Sequence, residues 1–338
     1  MTADRQERPL VSIITPCYNG GWCVSRMIES VLAQGYPNIE YIVVDDGSTD
    51  DSAEIIKRYI PAFEERGYTL IYFYQENRGL GGAIGAGLKL FTGDYLCWAD
   101  ADDWLEPDSV AVRVRFLEEH PQYGVVTGDA NVREEADLDR VARHISEHFP
   151  HSPDENQFEW MLRGESIFCS GCHMARVSMF DIANPKREIY DKVNGQNWQL
   201  LLPMYYLFSR KFLPVPVYNY VDYQQSMSRA RGASYTKWET HLANSCDTIT
   251  YTLEQIEATQ GVDLSEKKKY ILATYARSQF RAALQYGEKA AVKRHYHDLK
   301  QQTAPTMTDR LLYVFRSMSR LYRIASRLRK AIRRKRKK

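Results

Sequence analysis

Ten residues in, Val11 to Thr15 form a short apolar run that stops at Pro16 and reads as a first strand. Val24, Met27, Ile28, Val31 and Leu32 follow at i, i+3, i+4, i+7 and i+8. That spacing is the apolar stripe of an amphipathic helix, and Gly35-Tyr36-Pro37-Asn38 breaks it. Ile39 to Val44 is a second strand, and Asp50 or Asp51 caps a helix carrying Ile55, Ile56 and Tyr59. Leu70 to Tyr74, Tyr95 to Ala99 and Gly124 to Thr127 complete five strands. A glycine-containing helix, Gly81 to Phe91, and one from Pro107 to His120 lie between them. Strand and helix alternate throughout, which predicts an α/β fold with a largely parallel sheet and helices on its faces.

After Asn131 the pattern changes. Arg133 to Pro153 is polar and charged, and reads as a surface helix or flexible insertion. Phe158 to about Arg231 is rich in aromatics and Met with Gly and Pro punctuation, which suggests binding loops and short strands. From Tyr235 onward Leu253, Ile256, Tyr270, Ile271, Tyr275 and Phe280 have helical spacing. The predicted organisation is therefore 1–130 and 131–232 as two halves of one α/β domain, 233–307 as a helical region and 308–338 as a tail.

The strand ends carry the candidate chemistry. Tyr41-Ile42-Val43-Val44 ends in Asp45-Asp46-Gly47-Ser48, and Tyr95-Leu96-Cys97-Trp98 is followed by Asp100-Ala101-Asp102-Asp103. In an open α/β sheet, ligands bind beyond the carboxyl ends of the strands. Clustered carboxylates there suit a hard divalent cation and, with it, a phosphorylated substrate.

The 338 residues are 44% hydrophobic and 26% charged, enough for about two domains at ~150 residues each. The first ten residues, MTADRQERPL, do not resemble a secretory signal, and no stretch reaches the ~18 apolar residues of a membrane span. Both observations predict a cytoplasmic protein. Six cysteines fit reduced thiols there. Cys169-Ser170-Gly171-Cys172-His173 matches a haem-attachment pattern, but haem attachment needs export and a lone CxxC is weak evidence for zinc. Two buried thiols are the expectation.

Net charge is only +2, yet Thr308 to Lys338 holds 13 Lys/Arg against one Asp, leaving the remainder at −10. Leu311, Phe315, Met318, Leu321, Tyr322, Ala325, Leu328 and Ile332 share one helical face within that basic segment. A basic amphipathic helix of this kind lies on an anionic membrane surface, here the inner face of the cell membrane. Packing against the acidic body is the alternative. Nucleic acid is not expected, because no stacking or groove-reading module accompanies the basic run.

Four motifs occur together within about the first 130 residues: VSIITPCYN (Val11 to Asn19), VDDGSTD (Val44 to Asp50), ENRG (Glu76 to Gly79) and WADADD (Trp98 to Asp103). As a set they resemble the family 2 glycosyltransferases of GT-A fold. The resemblance implies inverting transfer of a sugar from a nucleotide-diphosphate donor, usually with Mg²⁺ or Mn²⁺, to a saccharide or lipid-linked acceptor in surface glycan synthesis. It places Thr15, Pro16 and Tyr18 at the nucleobase and ribose, Asp46 at the base (typically uracil), and Arg78 beside the nucleotide. It makes Asp100 and Asp102 the DXD pair, at ribose and metal. The glycine run from Gly79 to Gly87 fails the dinucleotide fingerprint, since Ile84 stands where the third glycine belongs.

Three positions depart from the family pattern. Ile84-Gly85 stands where relatives often have Arg-Asn. Tyr223-Gln224-Gln225-Ser226-Met227-Ser228 lacks the metal-binding His that some relatives carry there. Where many relatives have a Glu-Asp pair before a Trp, this chain has Gln196-Asn197-Trp198. Inverting transfer needs a proton acceptor, and neither amide is a base at pH 7. Asp191 or Glu188 is one solution. A phosphate acceptor, as in a polyprenyl-phosphate glycosyltransferase, is a second. A non-catalytic nucleotide-sugar-binding scaffold is the third. Gln196 and Asn197 then remain, with Asp191, as candidates for the catalytic site, as acceptor-binding or helix-capping groups, and His173 as an acceptor-binding, metal-binding or purely structural residue.

Overall fold

The computed structural model describes residues 8–190, 195–224, 226 and 234–315. They fall into two compact units, Met1–Tyr223 and Gln224–Lys338. In the first, β1 (Val11–Cys17) and β2 (Ile39–Asp45) pair in parallel and are buried along nearly their whole length. Continuous burial on both faces is why these strands read as unbroken apolar runs. The buried Glu40 is the exception. Its carboxylate accepts from Ser12 Oγ at 2.6 Å and from Thr92 N and Oγ1, each at 2.9 Å, so its charge is fully partnered at the sheet's amino end.

Helix α1 (Val24–Leu32) buries Val24, Met27, Ile28 and Val31, the expected stripe. α2 (Ser52–Arg58), α3 (Ile60–Arg66) and β3 (Thr69–Tyr74) follow. Asp51 is the N-cap residue of α2, and Asp50 Oδ1, one residue earlier, accepts from Ser52 N at 3.1 Å. α4 (Gly79–Leu90) crosses β1 closely, because a Cβ on Gly87 would lie 2.5 Å from Ile14 Cγ2. β4 (Tyr95–Trp98), β5 (Trp104–Leu105), α5 (Ser109–Glu119) and β6 (Tyr123–Glu134) come next.

Among the described residues the sheet has nine strands in the order β3-β2-β1-β4-β8-β6-β9-β5, with β7 beside β6. Here β7 is Asp137–His144, β8 is His173–Arg176 and β9 is Ser209–Asp222. The run β3-β2-β1-β4 is parallel, as is β6 with β9; β8, β7 and β5 pair antiparallel.

Two expectations are corrected. The polar stretch from Arg133 is not a helix or loose insertion: it forms the end of β6, the strand β7 and a short 3₁₀ turn, Ile145–His148. β7 is a mostly exposed edge strand, and charged side chains on an edge hide its strand character while protecting it from further pairing. The segment from Phe158 holds helices as well as strands: α6 (Phe158–Leu162), α7 (Val177–Ala183) and α8 (Gln196–Leu207). Its principal strand, β9, is 14 residues long rather than short.

The second unit is helical, as expected: α9 (Tyr235–Gln260), α10 (Ser265–Tyr286), α11 (Lys289–Gln302) and α12 (Met307–Val314). The buried Asp309 of α12 pairs with Arg277 at 2.9 Å and Arg281 at 3.3 Å. Met307, Leu311, Val314 and Phe315 are exposed. The rest of the tail's predicted apolar face, from Met318 to Ile332, lies outside the described residues, as does Asp191.

Candidate active site

The strand order fixes where a ligand can sit. The chain runs from β1 outward to β2 and β3, then returns to β4 on the other side of β1. Crossovers diverge at β1 and β4, and a crevice opens beyond their carboxyl ends. Cys17 is in register with Asp45, and Ile14 with Trp98. The three acidic or loop segments that follow these strands therefore emerge side by side, at ~4.8 Å per strand.

The first two segments are stitched together. Asp46 N donates to Cys17 O at 2.8 Å. Asn19, at φ 49°, donates its N–H to Ser48 Oγ at 2.9 Å and accepts from Thr49 N at 2.8 Å. Gly20 N donates to Ser52 Oγ at 2.9 Å and Gly21 N to Asp50 Oδ2 at 3.0 Å. Thr15 is buried under this lattice and Pro16 is half-buried, while Tyr18 and Trp22 are 56% and 66% exposed beside the crevice. Large aromatic rings left in water on a fixed loop are available for stacking.

Asp45 and Asp46 have different roles. Asp45 braces its own turn, accepting from Ser48 N at 2.8 Å and Tyr72 OH at 2.7 Å. Among the described residues, hydrogen bonds to the buried Asp46 fall on Oδ1, from Gln75 Nε2 at 2.6 Å and Arg78 N at 2.9 Å. This ties the second strand's end to the ENRG segment. The Arg78 side chain runs along α4, where a Cβ on Gly82 would meet its Cβ at 2.4 Å. Gly85, the departure from the expected Asn, faces Ile189, which would lie at an ordinary contact distance of 3.8 Å from a notional Cβ.

At the third strand end, Asp100 Oδ2 accepts from Ser170 Oγ at 2.8 Å and its N–H donates to Tyr218 OH at 3.1 Å. Burial, then the charge of Asp102, pushes the Asp100 carboxyl up to about 6. Burial likewise raises Asp102. Asp103 is raised well above its usual range by burial and by both neighbours, although Val221 N donates to its Oδ1 at 2.8 Å. Carboxylates that repel one another in a low-dielectric crevice favour a bound cation. A hard divalent ion fits this donor set. Asp102, with Asp100 beside it, would hold the ion. Among the described residues no closed cage of three or more acidic, His or Cys side chains surrounds it, so a ligand's own oxygens would complete the shell.

The haem-like pentapeptide is absorbed into this architecture. Ser170 supports Asp100, and Gly171 lets the turn pack on Tyr218, since a Cβ there would lie 2.1 Å from the ring. Cys169 and Cys172 are buried thiols. His173 is fully buried, shares a 3.0 Å hydrogen bond with Thr127 Oγ1 and stacks on Trp98. Burial and the charges of Arg210 and Arg113 lower it to about 3, so it is neutral.

Of the two amides at the start of α8, Asn197 is used up. It accepts from Trp98 Nε1 at 2.6 Å and donates to Phe168 O at 2.9 Å, locking the helix to the end of β4. Gln196 is buried, and its Oε1 accepts from Gly195 N at 3.3 Å. Gln199 clamps Tyr190, accepting from its N–H at 2.6 Å and donating to its carbonyl at 3.2 Å. That clamp ties the chain just before Asp191 to the first turn of α8. Glu188 is exposed on the same loop.

The geometry adds Gln75, Ser170 and Tyr218 to the residues expected from sequence. Gln75 could have been found, because it directly precedes the ENRG run. Ser170 and Tyr218 reach Asp100 only through the fold.

Known proteins resemble this chain in sequence and in fold. The model of the family "Glycosyl transferase family 2" matches residues 12–182. An uncharacterized glycosyltransferase of Rickettsia typhi is 42% identical over 109 residues, 32% of each chain. Glycosyltransferase GlyA of Streptococcus pneumoniae is 38% identical over 110 residues, 32% of this chain and 15% of that protein. The putative glycosyltransferase EpsE of Bacillus subtilis is 34% identical over 172 residues, 51% of this chain and 58% of EpsE. The match thus spans a third or less of the first two relatives. Among solved structures, S. aureus TarS 1–349 with UDP-GlcNAc superposes with TM-score 0.57 at 16% identity, covering 94% of this chain and 92% of that one. Mannosyltransferase PcManGT of Pyrobaculum calidifontis with GDP-Man and Mn²⁺ does so with TM-score 0.53 at 18% identity, covering 94% and 87%. At such identities these likenesses establish the GT-A fold.

Proposed function

The chain belongs to glycosyl transferase family 2, and from that premise we propose that it moves a sugar, with inversion, from a UDP-sugar to a saccharide or lipid-linked acceptor in surface glycan synthesis. One observation carries the reading. The acidic segments ending in Asp46 and in Asp100-Ala101-Asp102 emerge from β2 and β4, on either side of β1, at the point where the crossovers diverge.

The residues divide the work as follows. Tyr18 stacks on the base, with Thr15 and Pro16 shaping its floor. Asp46 has Oδ1 fixed by Gln75 and Arg78 N, which aims the carboxylate at the N–H edge of uracil. Arg78 supplies positive charge beside the nucleotide, and Asp100 receives the ribose. Asp102 holds Mg²⁺ or Mn²⁺, which when bound neutralises charge on the departing diphosphate. The acceptor oxygen attacks the anomeric carbon opposite the leaving group, so the configuration inverts. Its proton goes to Asp191, which follows Tyr190 in the chain; Glu188 is the second choice. Gln196 binds acceptor hydroxyls, and Asn197 holds α8 in place. In PcManGT a GDP-sugar and Mn²⁺ occupy a protein of this fold, and TarS takes UDP-GlcNAc.

A second reading follows from the amides. No carboxylate stands at Gln196 or Asn197, and an acceptor that is already anionic, such as a polyprenyl phosphate, needs no base there. A non-catalytic scaffold that holds a nucleotide-sugar is distinguished from both enzymes by its failure to turn over.

The acceptor also bears on location. No helix among the described residues is long and apolar enough to cross a membrane. Met307, Leu311, Val314 and Phe315 expose apolar surface at the start of the basic segment 308–338. We assign this segment to the anionic inner face of the cell membrane, where each basic residue contributes ~1 kcal/mol.

The test is release of nucleotide from a panel of UDP- and GDP-sugars with Mn²⁺, in the presence of lipid-linked or saccharide acceptors. Acceptor-dependent UDP release supports transfer. Binding of donor with no release under any acceptor favours the scaffold.

A further inference from the structure

Beside its apolar stripe, α1 starts a second pattern. Arg26, Ser30 and Gln34 recur every four residues, so they follow one face of the helix and its continuation. Each grips main chain in the segment after β4. Arg26 Nη2 donates to the carbonyl of Asp102. Ser30 Oγ accepts from Leu105 N at 3.1 Å. Gln34 donates to Glu106 O at 2.8 Å and accepts from Val110 N at 3.0 Å.

The Arg26 contact is reinforced. Tyr223 OH accepts from Arg26 Nη2 at 2.8 Å and donates to the same Asp102 carbonyl at 3.3 Å. The guanidinium lies 4.5 Å from the centre of the Trp104 ring, a cation–π arrangement that fixes its plane. Among the described residues, no other residue's side chain hydrogen-bonds to the Asp102 carboxylate. Its direction is therefore set by its own backbone, and that backbone is held by Arg26 and Tyr223.

We infer that Arg26 is a positioning residue for the donor site. By pinning the Asp102 carbonyl it presents the Asp102 carboxylate to the divalent cation on the donor diphosphate. α1 starts where the nucleobase loop ends, so the same helix links that loop to the metal-binding one. This rests on the assignment of Asp102 to the metal, and the test separates the two.

UDP binding is measured calorimetrically across a Mn²⁺ series, and without metal, for wild type, Arg26→Met, Arg26→Lys and Tyr223→Phe. The expected result is metal-free UDP affinity within about twofold of wild type in every variant. The Mn²⁺ concentration for half-maximal enhancement rises about tenfold in Arg26→Met, because a conserved shape without donors releases the carbonyl. Arg26→Lys recovers part of it, having a donor but no planar stack. Tyr223→Phe moves the same way by about twofold and covers the case in which Arg26→Met does not fold. An unchanged Mn²⁺ midpoint in Arg26→Met and Tyr223→Phe overturns the inference. Equal loss of metal-free and metal-dependent affinity also overturns it, since Arg26 is then only structural. If wild-type UDP binding does not depend on Mn²⁺, the donor reading fails first and takes the inference with it.

Discussion

Ser170 Oγ donates a 2.8 Å hydrogen bond to Oδ2 of Asp100, across 70 residues of chain. The bond opposes burial and the charge of Asp102, which together still leave the Asp100 carboxyl raised to about 6. Hydrogen bonds to charged groups contribute ~1.5–3 kcal/mol. Ser170→Ala should therefore weaken UDP binding by roughly tenfold and lower the melting temperature by a few degrees. Calorimetry at pH 7.5 reads the effect, and unaltered affinity would remove Ser170 from the donor site.

Asp102→Asn should abolish the metal dependence of UDP binding and leave the fold intact. The amide keeps the size and loses the charge that a hard cation requires. Circular dichroism and a Mn²⁺ titration together check it; full metal dependence in the variant would take Asp102 out of the site.

Gly171→Ala should destabilise the first unit. The added methyl would lie 2.1 Å from the Tyr218 ring, whose hydroxyl accepts from Asp100 N. Overpacking at a rigid ring costs about 1–3 kcal/mol or more, and the melting temperature should fall by roughly 3–8 °C. A melting curve unchanged within a degree would contradict this packing.

His173 sets an acid limit. Its folded value of about 3 lies below the ordinary ~6.5, so between the two the unfolded chain holds a proton that the folded one does not. Stability is fully present above pH ~6.5 and is lost as pH falls toward 3, at up to ~1.4 kcal/mol per pH unit. The raised carboxyls of Asp100, Asp102 and Asp103 titrate in the opposite sense over the same range, so denaturant titrations from pH 7 to 4 should show that slope as the difference between wild type and His173→Phe, which keeps the stack on Trp98. An equal slope in the variant would assign the acid loss to other groups.

Removal of the basic tail should start after Phe315, because Asp309 of α12 is paired with Arg277 and Arg281 inside the helical unit. Deleting 316–338 should release the protein from vesicles containing anionic lipid. Persistent binding would exclude those residues as the anchor.

The first half of the fold was legible because its strands are buried on both faces and so appear as continuous apolar runs. β7 was not, since an exposed edge strand carries the charges of a loop. β9 was hidden by Pro214 and Pro216, which sit where its register with β6 shifts. In the site, the carboxylates announced themselves by clustering at strand ends. Their supports did not: Ser170, Tyr218 and Arg26 reach Asp100 and Asp102 across 70, 118 and 76 positions, and only the sheet order brings them there. Asn197 drew attention as a catalytic candidate for want of a carboxylate, yet both ends of its amide are spent on Trp98 and Phe168.

The central claim is a nucleotide-diphosphate site built on Asp46, Asp100 and Asp102. Calorimetric titration of UDP and GDP, each with and without Mn²⁺, tests it most directly. The account predicts that UDP binds in preference to GDP and that Mn²⁺ tightens it by at least about tenfold, a coupling of ~1.4 kcal/mol. Preference for GDP would contradict the pairing of Asp46 with uracil, and failure of both nucleotides to bind would contradict the site itself.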